Sequence, residues 1–255
     1  MSIALAAAYE DLTFMTPLSE VRASRLVSFL SDGLDGGVVL DIGCGWAELL
    51  LRVVEAVPSC TGVGIDLDAE SIEYGKRVAQ ERGLADRVSL IEGDGRHMAP
   101  QQADAVICVG ASQVWNPPSE SVEPMGYRRA LEAIRAKVER GAHVVYGEGI
   151  WSAPPTRAAS APLGGRLDEL EFLPDFVEVA LGAGFSPLAV HEASLAEWDQ
   201  FESGCNACYA RWLLEHGHDH PDAAEVREMS RRARDGYLRG YRGILGLAYL
   251  ELVAT

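Results

Sequence analysis

The 255-residue sequence has no apolar run of about 18 residues or more, the length a helix needs to cross a bilayer, so no membrane span is expected. Residues Met1 to Glu10 carry a short apolar stretch with no positive charge before it, which argues against a secretory signal. Positive charge is scarce. Against 38 Asp and Glu stand 22 Lys and Arg, giving a formal net charge of −16 at pH 7. A polyphosphate surface would be repelled unless a strong basic patch existed, and the densest basic segment, Arg227 to Arg242, is interleaved with acids and apolar residues. Nucleic acid is therefore not expected as a partner. The acidic field favours a cationic acceptor or cofactor, although excess acid also simply keeps proteins soluble. Cysteine is limited to 5 residues, an odd count that fits a reducing cytoplasm better than a disulfide framework. No internal repeat or low-complexity tract stands out.

What remains is ordinary for a globular protein, with 48% hydrophobic and 24% charged residues and enough length for one substantial α/β core. The most informative stretch is Val38-Val39-Leu40-Asp41-Ile42-Gly43-Cys44-Gly45-Trp46-Ala47-Glu48, followed by the helical run Leu49 to Val57. Val38 to Ile42 reads as a buried strand that turns at glycines into a helix, an arrangement that sets backbone N–H groups and a carboxylate around a ligand. Gly43 and Gly45 allow backbone angles closed to other residues and let a ligand lie against the main chain. The next apolar run, Thr61 to Asp66, again ends in an acid able to accept both hydroxyls of a ribose. A third, Val88 to Glu92, leads into Gly93-Asp94-Gly95-Arg96. Three strand ends thus bring Asp41, Asp66 and Asp94 to one edge.

These motifs resemble those of the class I S-adenosylmethionine-dependent methyltransferases, whose acid-x-Gly-x-Gly-x-Gly pattern matches Asp41 to Ala47 except that Ala47 stands at the third glycine. The resemblance covers roughly Leu12 to Phe185 plus a terminal strand. It implies S-adenosylmethionine as cofactor, a ribose held by Asp66 with Leu67 beside it, and an adenine met by Asp94, Gly95 and Arg96. It also places Gly43, Cys44, Gly45, Val109 and Gly110 along the cofactor. A dinucleotide-binding domain fits less well, because its Gly-x-Gly-x-x-Gly pattern requires glycine where this chain has Glu48.

Around this centre the pattern predicts a single three-layer, Rossmann-like α/β domain with a seven-stranded, mostly parallel sheet. Strand order and an antiparallel last strand come from the resemblance. An N-terminal helical cap covers about residues 1–33, with Leu18, Val21, Leu26, Phe29 and Leu30 on one face of a helix from Pro17 to Leu30. Asp68 caps a helix running to about Arg82. Later elements are a strand at Ala103 to Val109, a helix from about Met125 to Arg140, a strand at Ala142 to Glu148, a long loop to Asp168, a helix at Pro174 to Leu181 and a strand at Phe185 to Glu192. A two-helix insertion occupies about residues 194–243, opened by the capping-box pair Ser194 and Glu197, and a strand at Leu247 to Val253 follows.

The methyl donor carries the reactive group, so the protein has chiefly to align an acceptor and exclude water; a base matters only if the acceptor arrives protonated. The acceptor pocket is expected at the ends of strands four and five and under the cap. Gln113 is the candidate to orient a polar acceptor, and Glu148 is either a general base or a local cap. Phe14, Ser112, Trp115 and Trp151 are candidate substrate contacts, with ordinary loop packing an equal reading for the two tryptophans. Asn116-Pro117-Pro118 lies beyond the end of strand four and is read as a turn. Cys205, Cys208, His216, His218 and His220 fit no zinc pattern, and no metal is expected. The reading is a cytoplasmic methyltransferase acting on a small molecule. The alternatives are an enzyme acting on RNA or protein, or a binder of S-adenosylmethionine without turnover.

Overall fold

The computed structural model describes residues 3–116, 125–217 and 219–255. Helices and strands alternate along the chain: α1 (Glu20–Ser31), β1 (Val38–Ile42), α2 (Glu48–Ala56), β2 (Thr61–Asp66), α3 (Ala69–Glu81), β3 (Val88–Glu92), α4 (Gly95–Met98), β4 (Ala103–Val109), α5 (Tyr127–Arg135), β5 (Val138–Trp151), α6 (Leu173–Gly182), β6 (Phe185–Glu192), α7 (Leu195–His216), α8 (Ala223–Asp235) and β7 (Leu245–Ala254). The seven strands form one sheet in the order β3-β2-β1-β4-β5-β7-β6. Strands β1 to β5 are parallel neighbours, whereas β7 runs antiparallel between β5 and β6.

The first half folds as its sequence predicts because each apolar strand is followed by a capped amphipathic helix. Asp68 Oδ1 accepts from Glu70 N at the start of α3, and Asp94 Oδ1 from Arg96 N at the start of α4. One apolar cluster gathers α1, α2 and α3 on one face of the sheet, and a second gathers α5 and α6 on the other. The insertion likewise begins at the expected capping box on Ser194 and Glu197. Its second helix ends in a π-helical turn, Gly236–Tyr241.

Three expectations are corrected. Val21 is 83% exposed, and the buried face of α1 is Ala23, Leu26 and Leu30. The helix expected to reach Arg140 stops at Arg135, because Val138 pairs with Ala103 and Ala105 then pairs with His143, leaving the residues between to bulge around Gly141 at φ 91°. Strand β5 also runs beyond Glu148 to Trp151, since Leu245 to Leu247 of β7 supply partners for Gly149 to Trp151.

Among the described residues no helix is long and apolar enough to cross a membrane.

Candidate cofactor and acceptor site

At the carboxyl ends of β1, β2 and β4 the chain encloses a cavity of about 500 Å³. Its floor is the turn between β1 and α2. Gly43 and Gly45 adopt φ of 70° and 53°, and the backbone N–H groups of Gly43 and Cys44 donate to Ile65 O at 2.9 and 3.2 Å. A Cβ on Gly43 would collide with that of Ala111, so glycine here lets the loops after β1 and β4 meet. Ala47 is left-handed too, at φ 62°, the one non-glycine residue with positive φ among those described. It ends the turn as N-cap of α2, where the resembled pattern has glycine.

The three aspartates all face this cavity, in different states. Asp41 is buried at 4% exposure; burial, and then the charge of Asp66, push its carboxyl well above the usual carboxylate range. Asp66 is braced by backbone: its Oδ2 accepts from Gly45 N at 2.7 Å and its Oδ1 from Asp68 N at 2.9 Å. Each oxygen keeps a further lone pair for a ligand hydroxyl. Asp94 is gripped by Arg96, whose terminal nitrogen lies 2.7 Å from Oδ2, and these hydrogen bonds hold its carboxyl below the ordinary range. Every residue that the resemblance assigned to the cofactor lines the cavity, with Leu67, Val109 and Gly110 along its rim and Cys44 within the loop.

Overhead lies the segment before α1. Phe14, Met15, Thr16 and Leu18 line the cavity from above; of these the sequence reading named Phe14 as a contact and Leu18 only as part of the cap helix face. Trp46 Nε1 donates to Thr13 O at 2.8 Å, and Tyr9 stacks on Tyr74 at 4.0 Å between ring centroids, tying the segment to the glycine turn and to α3. Thr16 Oγ1 lies 3.0 Å from Tyr249 OH, which donates to Pro17 O at 3.0 Å. Asp11 pairs with Arg211 of α7, so the insertion holds the segment from its other side. Nothing in the spacing of residues 11–17 marks such a strap within the expected N-terminal cap.

The expected acceptor residues divide. Gln113 lines the cavity, its Nε2 donating to Gly110 O at 3.1 Å. Glu148, Ser112, Trp115 and Trp151 do not line it. Because β5 continues past Glu148, this residue is a mid-strand carboxylate buried behind the loop after β4, where its oxygens accept from Ser112 N and Gly149 N, each at 2.9 Å. Burial raises its pKa, and those backbone hydrogen bonds oppose the rise. Ser112 Oγ lies 2.5 Å from Tyr146 OH, Trp151 Nε1 donates to Leu167 O at 3.1 Å, and Trp115 packs into the second core cluster.

The turn at Asn116 packs against Gly126, while Pro117 and Pro118 lie outside the described residues. Cys205 and Cys208 sit on α7 with Cys208 Sγ donating to Cys205 O at 3.4 Å, and His216 stacks on Trp212. His218 lies outside the described residues; among those described, no group of three or more His, Cys, Asp or Glu is placed to hold a metal.

Known proteins resemble this chain in sequence and shape. A profile of the methyltransferase domain family matches residues 39–126, from β1 to the start of α5. The uncharacterized protein YjhP of Escherichia coli K12 is 28% identical over 222 residues, 86% of this chain and 85% of its own. A methyltransferase from Thiobacillus denitrificans, dependent on S-adenosylmethionine and solved with S-adenosyl-L-homocysteine, superposes with a TM-score of 0.81 at 25% identity, covering 97% of this chain and 96% of that one. A second such enzyme, from Geobacter sulfurreducens, shares the fold with a TM-score of 0.82 at 24% identity, over 97% and 96% of the two chains. Strand order, glycine turn, acid-tipped strands and these relatives agree: residues 39–126 match the methyltransferase domain, and together the likenesses support a class I S-adenosylmethionine-dependent methyltransferase.

Proposed function

We propose that the protein transfers the methyl group of S-adenosylmethionine to a small-molecule acceptor that reacts beneath the strap formed by Phe14 to Leu18. The observation that supports this reading is the cavity under the strap: its volume of about 500 Å³ falls in the range of small-ligand sites, and the strap over it is tied to the glycine turn, to α3 and to α7. When bound, S-adenosylmethionine supplies an electrophilic methyl on a sulfonium. The chain's own groups fit such a ligand: Asp66 offers acceptors to ribose hydroxyls, Asp94 and Arg96 border the adenine, and the buried Asp41 matches the methionyl ammonium.

The protein's contribution to rate is then positional. Holding an acceptor in line at near-attack distance supplies up to about 7–11 kcal/mol of the barrier, and the apolar strap excludes water that would compete. Gln113 orients the acceptor from the cavity wall. Glu148 acts at one remove, fixing the Ser112 N–H and hence the turn on which Gln113 sits.

Calorimetric titration with S-adenosylhomocysteine tests the site. Asp66→Ala should weaken binding by about 1–3 kcal/mol, because the ribose loses a charged partner. Thermal melting without ligand shows how much of that loss comes from a loosened Gly45. Unchanged affinity would mean that the ribose lies elsewhere.

A further inference from the structure

On that methyltransferase reading, we propose that Glu148, a charged carboxylate buried behind the cavity wall, makes the site favour the cationic methyl donor over the product that the transfer leaves behind. In the transfer, the carbon–sulfur bond to the methyl breaks with its electron pair left on sulfur, and a lone pair of the acceptor forms the new bond to the methyl carbon. The sulfonium becomes a neutral thioether, so S-adenosylhomocysteine carries one positive charge fewer than S-adenosylmethionine. Hydrogen bonds to the sugar, the base and the amino-acid end are common to both ligands. A fixed negative charge without a counter-ion close to the cavity is different, because it attracts the donor more than the product.

The surroundings of Glu148 build such a charge. The residue is buried at 4% exposure, and its oxygens accept from Ser112 N and Gly149 N, each at 2.9 Å. The Ala111 N–H and the Ser112 hydroxyl also favour its charged form against the penalty of burial. Tyr146 OH lies 2.5 Å from Ser112 Oγ, so a second hydroxyl backs the first. Cys108, Tyr127 and Tyr146 all feel the charge of Glu148, and burial keeps each of them neutral. Among the described residues no Arg, Lys or His pairs with it. Ala111 and Gln113, on either side of Ser112, line the cavity, so the carboxylate lies one residue behind its wall. The other acids at the cavity are placed differently: Asp94 is paired with Arg96, and Asp41 is matched to the ammonium that donor and product share. Because Glu148 is buried, salt screens its field only weakly.

The experiment is calorimetric titration of the full-length protein with S-adenosylmethionine and with S-adenosylhomocysteine. Binding to the parent comes first; if neither ligand binds, the methyltransferase reading itself fails, and this inference with it. Glu148→Gln keeps the volume and removes the charge. Weakened support of the wall lowers both affinities alike, whereas loss of the charge should lower the ratio of donor to product affinity roughly fivefold. Tyr146→Phe takes a hydroxyl from the same network and leaves the charge, so its ratio should equal the parent's. A measurement on the parent alone removes any dependence on the folding of the glutamine variant. In protein labelled with carbon-13 at glutamate Cδ, the Glu148 resonance, assigned through the bonds to its backbone, should be that of an ionised carboxylate at pH 7. An unchanged ratio in Glu148→Gln, an equal shift in Tyr146→Phe, or a protonated Glu148 at pH 7 would overturn the proposal.

Discussion

Asp41 shows how one side chain trades stability for binding. In the unfolded chain it ionises near its ordinary value of about 3.9, whereas in the fold burial keeps its proton to higher pH. Across that window the folded state binds more protons than the unfolded one, so this residue's contribution to stability falls as pH rises. Asp41→Asn should therefore melt higher than the parent at pH 7 without ligand, yet bind S-adenosylmethionine less tightly. In the parent, an ammonium placed against Asp41 lowers its pKa again, so over the pH range in which the free protein still holds that proton, binding should release it and tighten with rising pH. Calorimetry in two buffers of different ionisation enthalpy reads that proton directly. Ala47 is a simpler case. Its left-handed backbone costs about 1–2 kcal/mol, while its buried methyl returns about 0.8, so Ala47→Gly should raise unfolding stability in urea by up to about 1 kcal/mol. A loss of stability would mean that packing of the methyl dominates.

Among the elements, the pairing of α1 with α7 depends on one carboxylate. Glu197 accepts from Ser194 N at 2.8 Å, Ser19 N at 3.0 Å and Ser19 Oγ at 2.7 Å, and from two nitrogens of Arg22, each at 2.9 Å, so it joins the N-termini of both helices. Burial opposes its ionisation, but the hydrogen bonds from Arg22, Ser194 and Ser19 outweigh that and hold its pKa far below the glutamate range. Its stabilisation is thus complete above about pH 4.3 and is lost as pH falls through the folded value. Glu197→Gln should cost about 3 kcal/mol or more at pH 7, since Arg22 is left partly buried without its partner. The gap to the parent in melting experiments should close in acid. Cofactor affinity should fall too, because Ser19 ends the strap that roofs the cavity.

Across the whole molecule, the net charge of −16 and the paired arginines bear on the rival reading of an RNA acceptor. Fluorescence anisotropy with a labelled RNA should show no association that weakens steeply between 50 and 200 mM salt; a slope reflecting several neutralised phosphates would favour RNA. How far the sequence revealed this molecule depends on the range of its interactions. The glycine turn, Asp66 and Asp94 were legible because each follows its own strand within a few residues, where local patterning and tertiary position coincide. Glu148 was misplaced because the true length of β5 is set by β7, a partner remote in sequence, and a strand three residues longer turns an expected rim carboxylate into a wall support. Met15 and Thr16 were missed for a related reason: what makes them a roof is Tyr249 and the inserted helices, none of which a local window contains.

Placing β7 between β5 and β6 also has a consequence for biosynthesis. On the ribosome, β5 and β6 emerge before their shared neighbour, with all of α7 and α8 still to be made. The parallel half can pair as it is translated, but the other half exposes open strand edges until β7 emerges. Nascent chains stalled within α8 should therefore be protease-resistant through β4 and cleavable around β6, and they become the stage at which this protein most needs a chaperone.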